Sequence, residues 1–285
     1  MTDQRPRPNK LHAPDLRVRK DGDKIVMLSA YDYHIARLAE LAGVDLLLVG
    51  DSLGMVVLGG NGTTAVTLDE ILHHTRAVVC GAPNTHVIAD LPFGSYQVSD
   101  AQAIENSVRL LKEGGADSVK LEGGRVVADR VRAIVAAGIP VAGHIGLTPQ
   151  SAGSQGGWKV QGRDVESARG ILADAEAIAE AGVFCIVIEA VPTELGALIT
   201  ERVAVPTIGI GAGPSCDGQV LVSPDLLGLE TRLTPKFTDP YVDLATIIQD
   251  AFTAFGTDVR QGHFPTADLS HAMDPEIVAK LRGPS

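Results

Sequence analysis

Eight short apolar runs that alternate with amphipathic helical patterns predict an α/β protein folded as a TIM (β/α)8 barrel. Each run is rich in Val, Ile and Leu and is bounded by Gly or Pro, which is typical of strands buried on both faces of a parallel sheet. The chain has 285 residues, a length that is common for a barrel folding as one domain. A doubly wound open sheet is the main alternative, because alternation alone does not show that the sheet closes.

The predicted strands are separated by patterns that favour helices. Several of these patterns close with Gly, the residue that most often follows a helix C-terminus. The predicted helices cover residues 34–43, 100–115, 129–138, 168–182 and 193–203, and the predicted strands cover residues 25–30, 45–50, 87–91, 118–121, 141–144, 184–189, 207–210 and 220–222.

Both ends of the chain differ from the barrel in composition. Residues 1–24 are polar and contain Pro6, Pro8 and Pro14, which predicts a flexible N-terminal arm or a strap over a neighbouring subunit. The barrel domain is predicted over residues 25–255, with one more helix over residues 240–255. Residues 256–285 are polar with scattered prolines and are predicted to form a C-terminal extension that packs on the barrel or on a partner.

Composition argues against several function classes. The chain has 24 Lys and Arg against 35 Asp and Glu, a formal charge of −11, and no basic stripe that suggests binding to nucleic acid. No apolar run approaches the ~20 residues of a membrane span, and the start lacks the apolar segment of a secretory signal. Cys80, Cys185 and Cys216 are odd in number and lack paired spacing, so the cytoplasm is the expected location.

Four of the apolar runs end in a carboxylate. LLLVGD ends at Asp51, VIADLP contains Asp90, VKLEGG contains Glu122 and IVIEAVP contains Glu189. Each acid alone is explained by a helix N-cap or an arginine partner. Because the carboxyl ends of parallel barrel strands meet, the four together favour an enzyme site in which a divalent cation relieves their repulsion. Mg²⁺ suits such a site, since it prefers a few carboxylates plus water and substrate oxygens.

A lysine and a histidine lie at strand ends beside these acids. Lys120 and Glu122 alternate with apolar residues, so both face the same side of their strand, towards the barrel interior or its mouth. Lys120 needs an anionic partner there, which is either a substrate carboxylate or Glu122 in a structural salt bridge. His144, in GHIGLTPQ, is either a satisfied core histidine or a donor to a developing enolate oxygen.

A glycine-rich stretch follows the second predicted strand. Asp51 and Ser52 lie between Gly50 and Gly54, and these glycines let the backbone approach a ligand closely. The stretch continues through residues 54–67, which are too many for a tight turn. It is either a mobile lid over the site or an ordinary surface hairpin.

Seven motifs, in the same order along the chain, resemble those of the ketopantoate hydroxymethyltransferase family. They are GDSLGM (50–55), ADLPFGSY (89–96), VKLEGG (119–124), GHIGLTPQ (143–150), GGWKVQGR (156–163), EAVP (189–192) and IGIGAG (208–213). The family usually has Cys where this chain has Ala190. The resemblance implies a Mg²⁺-dependent (β/α)8 enzyme that assembles as a decamer of two stacked pentamers.

The same resemblance implies a reaction. The family transfers the one-carbon unit of 5,10-methylenetetrahydrofolate to 3-methyl-2-oxobutanoate, giving 2-dehydropantoate in pantothenate and coenzyme A biosynthesis. Carried over by motif, Asp51 and Asp90 bind the metal and contact the substrate, and Glu122 completes the metal shell directly or through water. Mg²⁺ held by the keto and carboxylate oxygens of the substrate stabilises the enolate.

The remaining roles follow from the same motifs. Ser52 and Lys120 are implied to hold the carboxylate of the ketoacid, and His144 is implied to lie beside the substrate. Glu189 is implied to be the general base. Folate, which is bulky and anionic, is expected at the open mouth of the barrel near the glycine-rich loops.

Two other functions stay open. A barrel of the phosphoenolpyruvate mutase and isocitrate lyase type also uses Mg²⁺ and ketoacid enolates, but it cleaves or rearranges its substrate without folate. A non-catalytic barrel that serves as an assembly scaffold predicts that Asp51→Ala and Asp90→Ala change neither metal affinity nor turnover.

Overall fold

Eight parallel strands form one closed barrel in the computed structural model, which describes residues 10–230, 232 and 236–283. The strands are β1 (Ile25–Ser29), β2 (Leu46–Val49), β3 (His86–Asp90), β4 (Ser118–Glu122), β5 (Val141–Gly146), β6 (Cys185–Glu189), β7 (Thr207–Ile210) and β8 (Gly218–Leu221). Each strand pairs with the next along the chain, and β8 pairs with β1. The predicted TIM barrel is therefore confirmed, and the open doubly wound sheet is wrong.

Helices connect most of the strands and cover the outside of the barrel. They are α1 (Ala13–Arg17), α2 (Tyr33–Ala42), α3 (Leu53–Val56), α4 (Leu68–Gly81), α5 (Asp100–Lys112), α6 (Ala128–Ala136), α7 (Val165–Glu180), α8 (Thr193–Arg202), α9 (Ser223–Leu226), α10 (Leu244–Gln261) and α11 (Pro275–Arg282). The predicted helices correspond to α2, α5, α6, α7 and α8.

Polar side chains determine where several of these helices begin. Asp32, Thr67, Ser99 and Asp164 each accept a hydrogen bond from a backbone N–H in the first turn of α2, α4, α5 and α7, which satisfies donors that the helix leaves unpaired. Gly43 ends α2 in the left-handed conformation, with φ +81°, as glycine commonly does at this position.

The barrel interior changes from apolar to charged towards the carboxyl ends of the strands. Alternate residues of a strand face the same side. Ile88 of β3 therefore lies in the interior two residues before Asp90, and Val187 of β6 two residues before Glu189. The apolar interior cluster also includes Leu16, Ile25, Met27, Leu46, Leu48, Ala142, Cys185, Ile208 and Val220. Along these strands the apolar interior therefore gives way to acidic side chains at the barrel mouth.

The prediction of a flexible N-terminal arm is wrong for residues 10–24, whereas residues 1–9 lie outside the described part of the chain. Leu16 of α1 is fully buried in the apolar interior cluster. His86 Nδ1 lies 3.0 Å from the carbonyl oxygen of Leu11, and Lys20 Nζ lies 2.9 Å from Asp217 Oδ2. Leu16 closes the barrel at the end opposite the mouth, and its burial was not predicted because the residues around it are polar.

The C-terminal segment contains more helix than its composition suggested. The helix predicted over residues 240–255 is observed as α10, which runs to Gln261 and therefore crosses the predicted boundary at residue 255. A further helix, α11, lies in the stretch read as polar, and neither helix buries a residue. Within the described residues, no helix combines the length and the apolar character needed to cross a membrane.

Candidate active site

The mouth of the barrel brings together the seven residues predicted from the sequence. Parallel strands end at the same level of the barrel, so residues distant in the chain become neighbours. All seven lie on or just after five consecutive strands, β2 to β6. They are Asp51 and Ser52 after β2, Asp90 on β3, Lys120 and Glu122 on β4, His144 on β5 and Glu189 on β6.

Asp90 and Lys120 form a buried ion pair. The two residues lie opposite each other in the β3–β4 register, and Lys120 Nζ lies 3.2 Å from Asp90 Oδ1. Burial lowers the pKa of Lys120, but the negative charges of Asp90, Glu122 and Asp51 outweigh it and hold that pKa above its usual value. Lys120 is therefore a cation in this site, available to an anionic group of a ligand.

His144 lies between two glutamates. Its Nδ1 lies 3.3 Å from Glu122 Oε1, and its Nε2 lies 3.1 Å from Glu189 Oε2. Burial and Lys120 lower the pKa of His144, whereas Glu122 and Glu189 raise it, with a net result of about 9. Each ring nitrogen of His144 therefore lies beside one carboxylate. Glu122 thus pairs with His144, whereas Lys120, on the same strand, pairs with Asp90.

Glu189 differs from its neighbours in its access to solvent. Its side chain is 14% exposed, against 4% for His144 and 2% for Glu122. A carboxylate that takes a proton from a substrate must be reachable by that substrate. Among the acids of the mouth, Glu189 fits this requirement best.

Asp51 lies in an environment that opposes its ionisation. Burial, together with the charges of Asp90 and Glu122, raises the pKa of Asp51 well above its usual value. The backbone N–H of Asp51 donates to Asp90 Oδ2 at 3.0 Å, so the two acids from β2 and β3 are in direct contact. Burial also raises the pKa of Asp90, and Lys120 opposes that rise. This crowding of carboxyl groups is the repulsion that the sequence predicted.

Two further polar residues of the mouth were missed in the sequence. Gln150 donates from Nε2 to Asp51 Oδ2 at 2.8 Å and from its backbone N–H to Glu122 Oε2 at 2.9 Å. Tyr96 OH donates to Gln150 Oε1 at 2.7 Å. Tyr96 ends the motif ADLPFGSY and Gln150 ends the motif GHIGLTPQ, and both motifs were noted for other residues in them. Neither side chain is charged, so neither was recognised as part of the site.

Ser52 and the glycine-rich stretch occupy the adjacent part of the mouth. Ser52 Oγ lies 2.7 Å from Tyr31 OH. Residues 54–67 contain the end of α3 and no strand, so the alternative of a surface hairpin is wrong. Arg232 donates to the carbonyl oxygens of Met55 and Gly59 at 2.7 and 3.0 Å, and these contacts anchor the stretch. Its action as a lid stays a prediction.

The carboxylates leave two oxygen atoms that fit a hard cation. Asp90 Oδ1 and Glu122 Oε1 are buried, and in the described part of the chain each has only an ion pair, with Lys120 Nζ at 3.2 Å and with His144 Nδ1 at 3.3 Å. The second oxygen of each accepts from a backbone N–H, that of Asp51 for Asp90 and that of Gln150 for Glu122. Among the described residues, no three His, Cys, Asp or Glu side chains form a ready metal cluster. Mg²⁺ is usually held by only one or two carboxylates, with water and substrate completing its shell, so the residues present fit this ion.

Comparison with known proteins assigns the family. A family model described as ketopantoate hydroxymethyltransferase matches residues 10–267. The chain belongs to this family. A 3-methyl-2-oxobutanoate hydroxymethyltransferase of Moorella thermoacetica is 55% identical over 263 residues, which cover 92% of this chain and 98% of the relative. Another, of Carboxydothermus hydrogenoformans, is 52% identical over 264 residues, which cover 93% and 96%. The family predicted from the motifs is confirmed, and membership of an enzyme family argues against a non-catalytic scaffold.

Solved structures with the same barrel are much more distant in sequence. A phosphoenolpyruvate phosphomutase of Streptomyces platensis subsp. rosaceus has a TM-score of 0.59 and 19% identity and covers 96% of both chains. A phosphonopyruvate hydrolase in complex with oxalate and Mg²⁺ has a TM-score of 0.59 and 14% identity, covering 96% of this chain and 95% of its own. At such identities the likeness shows the fold alone.

Proposed function

We propose that the chain transfers a hydroxymethyl group from 5,10-methylenetetrahydrofolate to 3-methyl-2-oxobutanoate, giving 2-dehydropantoate for pantothenate and coenzyme A biosynthesis in the cytoplasm. Relatives about half identical over almost the whole chain carry the matching enzyme name. The observation that carries the mechanism is a partly exposed carboxylate, Glu189, held by His144 beside a cluster of buried acids. Assembly as a decamer of two pentamers stays a prediction.

Binding of the ketoacid requires a cation for its carboxylate. Lys120 supplies it, because Asp90, Glu122 and Asp51 keep its pKa high even though it is buried. Ser52 lies at the start of α3 and adds a hydroxyl donor on the neighbouring side of the mouth. Charge-assisted hydrogen bonds of this kind orient a small anion as well as bind it.

Asp51, Asp90 and Glu122 are the residues that would hold a Mg²⁺ ion. Asp90 Oδ1 and Glu122 Oε1 are buried and have only ion-pair partners, Lys120 and His144, and the backbone N–H of Asp51 donates to Asp90 Oδ2. A Mg²⁺ ion held there would polarise the keto group of the substrate and so would make the neighbouring C–H bond more acidic.

Glu189 takes the proton from the branched carbon next to the keto group. His144 Nε2 lies 3.1 Å from Glu189 Oε2 and directs the Glu189 carboxylate to one side. The carbon that has lost its proton attacks the methylene group carried by the folate, and water supplies the hydroxyl group as tetrahydrofolate is released. Placing base and substrate in a fixed geometry removes most of the entropy cost of the step.

Hydrogen exchange in D₂O tests this assignment without folate. We expect the protein to exchange the single hydrogen on the branched carbon of 3-methyl-2-oxobutanoate, followed by NMR, only when Mg²⁺ is present. Glu189→Gln should bind Mg²⁺ and the ketoacid as tightly as the wild type but lower the exchange rate by roughly 10²–10⁴-fold, the usual contribution of a general base.

A matched control comes from α8. Glu194 is exposed there, so Glu194→Gln should exchange at the wild-type rate. Normal exchange in Glu189→Gln would move the base to another residue. If the wild type exchanges no hydrogen with Mg²⁺ present, the proposed reaction is wrong.

A further inference from the structure

Gln150 is in contact with two of the acids at the mouth at once. It follows β5 in a short turn formed by Pro149–Ser151 and is 5% exposed. Its side-chain Nε2 donates to Asp51 Oδ2 at 2.8 Å and to the carbonyl oxygen of Leu91 at 3.0 Å. Its backbone N–H donates to Glu122 Oε2 at 2.9 Å. One residue therefore ties the acid that follows β2 to the acid that ends β4.

Tyr96 determines which way the Gln150 amide points. The tyrosine hydroxyl lies 2.7 Å from Gln150 Oε1 and 3.1 Å from the carbonyl oxygen of Glu122. It also accepts from the backbone N–H of Glu122 at 3.3 Å. Because the hydroxyl donates to Oε1, the NH₂ group of Gln150 must face Asp51, where only a donor is useful. With the amide reversed, its oxygen would face a carboxylate oxygen.

The contacts of Gln150 also select which carboxylate oxygens stay available. Gln150 occupies Asp51 Oδ2 and Glu122 Oε2, so Glu122 Oε1 is left with only its ion pair with His144 Nδ1 at 3.3 Å. Asp90 follows the same pattern, because its Oδ2 accepts from the backbone N–H of Asp51 while Oδ1 has only its ion pair with Lys120 at 3.2 Å. Residues behind the ligands of a metal commonly fix the orientation of those ligands in this way.

We propose that Gln150 is a positioning residue that, oriented by Tyr96, holds Asp51 and Glu122 with one oxygen each turned towards a divalent cation. The proposal rests on the proposed function, since it assumes that these acids share a Mg²⁺ ion. It adds a residue that touches neither the ketoacid nor the folate in the proposed scheme. Gln150 acts through the two carboxylates alone.

Gln150→Met tests the proposal, because methionine keeps the length and volume of the side chain but donates no hydrogen bond. Titration calorimetry with Mg²⁺, in the presence of 3-methyl-2-oxobutanoate, should show a dissociation constant raised about 10–100-fold, as is typical when such a supporting residue is lost. The exchange rate in D₂O should fall at low Mg²⁺ and recover largely at saturating Mg²⁺. Thermal unfolding of the Mg²⁺-free protein measures the structural effect separately.

Gln155→Met is the matched control. Gln155 lies in the same loop and donates to the carbonyl oxygen of Gly146 at 3.1 Å, while its Oε1 accepts from the N–H of Thr148 at 3.1 Å. It contacts none of the acids, so its loss should leave the Mg²⁺ dissociation constant within twofold of the wild type. A similar fall in thermal stability for both variants, with weaker Mg²⁺ binding only for Gln150→Met, is the expected result.

Tyr96→Phe keeps the proposal testable if Gln150→Met does not fold. Removing the hydroxyl takes away the hydrogen bond that holds Gln150 Oε1, so Gln150 is held less firmly against Asp51 and Mg²⁺ binding should weaken in the same direction with the ring packing retained. The role of Gln150 is overturned if folded Gln150→Met binds Mg²⁺ with the wild-type dissociation constant. If Gln150→Met does not fold, the same result for Tyr96→Phe overturns it. If the wild type exchanges the substrate hydrogen but binds no Mg²⁺, then Asp51, Asp90 and Glu122 do not hold a metal ion. The positioning role of Gln150 is then wrong as well.

Discussion

Replacing Lys120 by methionine should be among the most damaging changes at the barrel mouth. The side chain is 4% exposed, and its Nζ lies 3.2 Å from Asp90 Oδ1 and 3.2 Å from His144 Nδ1. Methionine fills most of the same volume, so little packing is lost. What is lost is the positive charge, and Asp90, whose side chain is 2% exposed, stays buried without it.

The size of the effect follows from this burial. Removing one partner of a buried ion pair typically costs about 3–5 kcal/mol, because the other charge is left uncompensated. For a chain of this size, each kcal/mol lowers Tm by roughly 2–4 °C, so Lys120→Met should lower Tm by about 6–20 °C. The raised pKa of Lys120 means that its stabilisation is fully present below the unfolded-state pKa of about 10.4 and is lost only as pH rises through the folded-state pKa. Measurement at pH 7–8 therefore captures the whole effect.

Urea and thermal unfolding of five proteins separate charge from packing: the wild type, Lys120→Met, Lys112→Met, Asp90→Asn, and the double variant with both Lys120→Met and Asp90→Asn. Lys112→Met, at an exposed position of α5, should change stability by no more than about 0.5 kcal/mol. Asp90→Asn added to Lys120→Met should recover part of the loss, because the uncompensated charge is then removed as well. The reasoning is refuted if Lys120→Met is as stable as Lys112→Met, or if the double variant is less stable by the sum of both single losses.

The same variant tests the proposed contact with substrate. Lys120→Met should raise the KM for 3-methyl-2-oxobutanoate more than it raises the Mg²⁺ concentration needed for half-maximal rate, because the lost group binds the ketoacid carboxylate. An unchanged KM would show that Lys120 serves only its ion pair with Asp90.

Three other variants test separate parts of the structure by urea unfolding. Leu16→Ala should cost about 2–5 kcal/mol, the usual range for a fully buried leucine, and a loss below about 1 kcal/mol would show that the N-terminal segment does not pack as described. Ala190→Gly should add up to about 1 kcal/mol, because Ala190 has φ +47°, which strains a residue that carries a Cβ; a clear loss of stability would contradict this. Burial raises the pKa of Asp217, but hydrogen bonds from Thr207 and Lys20 bring it below its usual value. Asp217→Asn should therefore destabilise the protein at pH 7, with the difference narrowing below pH ~3.9, and a difference that does not depend on pH would refute the assignment.

The strands and the acids at the mouth were predictable because both depend on local patterns. A buried parallel strand requires a run of apolar residues, and the residue that ends the run is visible in the sequence. The alternation in VKLEGG correctly placed Lys120 and Glu122 on the same face of β4. Helix boundaries were also accessible, since caps such as Thr67 and Asp164 are local signals.

The partners of these residues were not predictable, because they depend on packing between elements far apart in the chain. Lys120 was expected to pair with a substrate or with Glu122, but its closest acidic partner is Asp90 on the neighbouring strand. Gln150 was missed because a neutral amide is informative only when its partners are known. Leu16 was missed because one buried leucine in a polar segment has no periodicity.

Strand register explains how the base comes to lie beside His144. Glu122 lies opposite His144 in the β4–β5 register, and Gly146 lies opposite Glu189 in the β5–β6 register. Gly146 has φ +91°, and a Cβ at this position would lie 2.3 Å from the carbonyl oxygen of Glu189. Any side chain there would push apart the ends of β5 and β6 and would move the Glu189 carboxylate away from His144. The position of the proposed base thus depends on a residue with no functional group, through backbone contact between two strands.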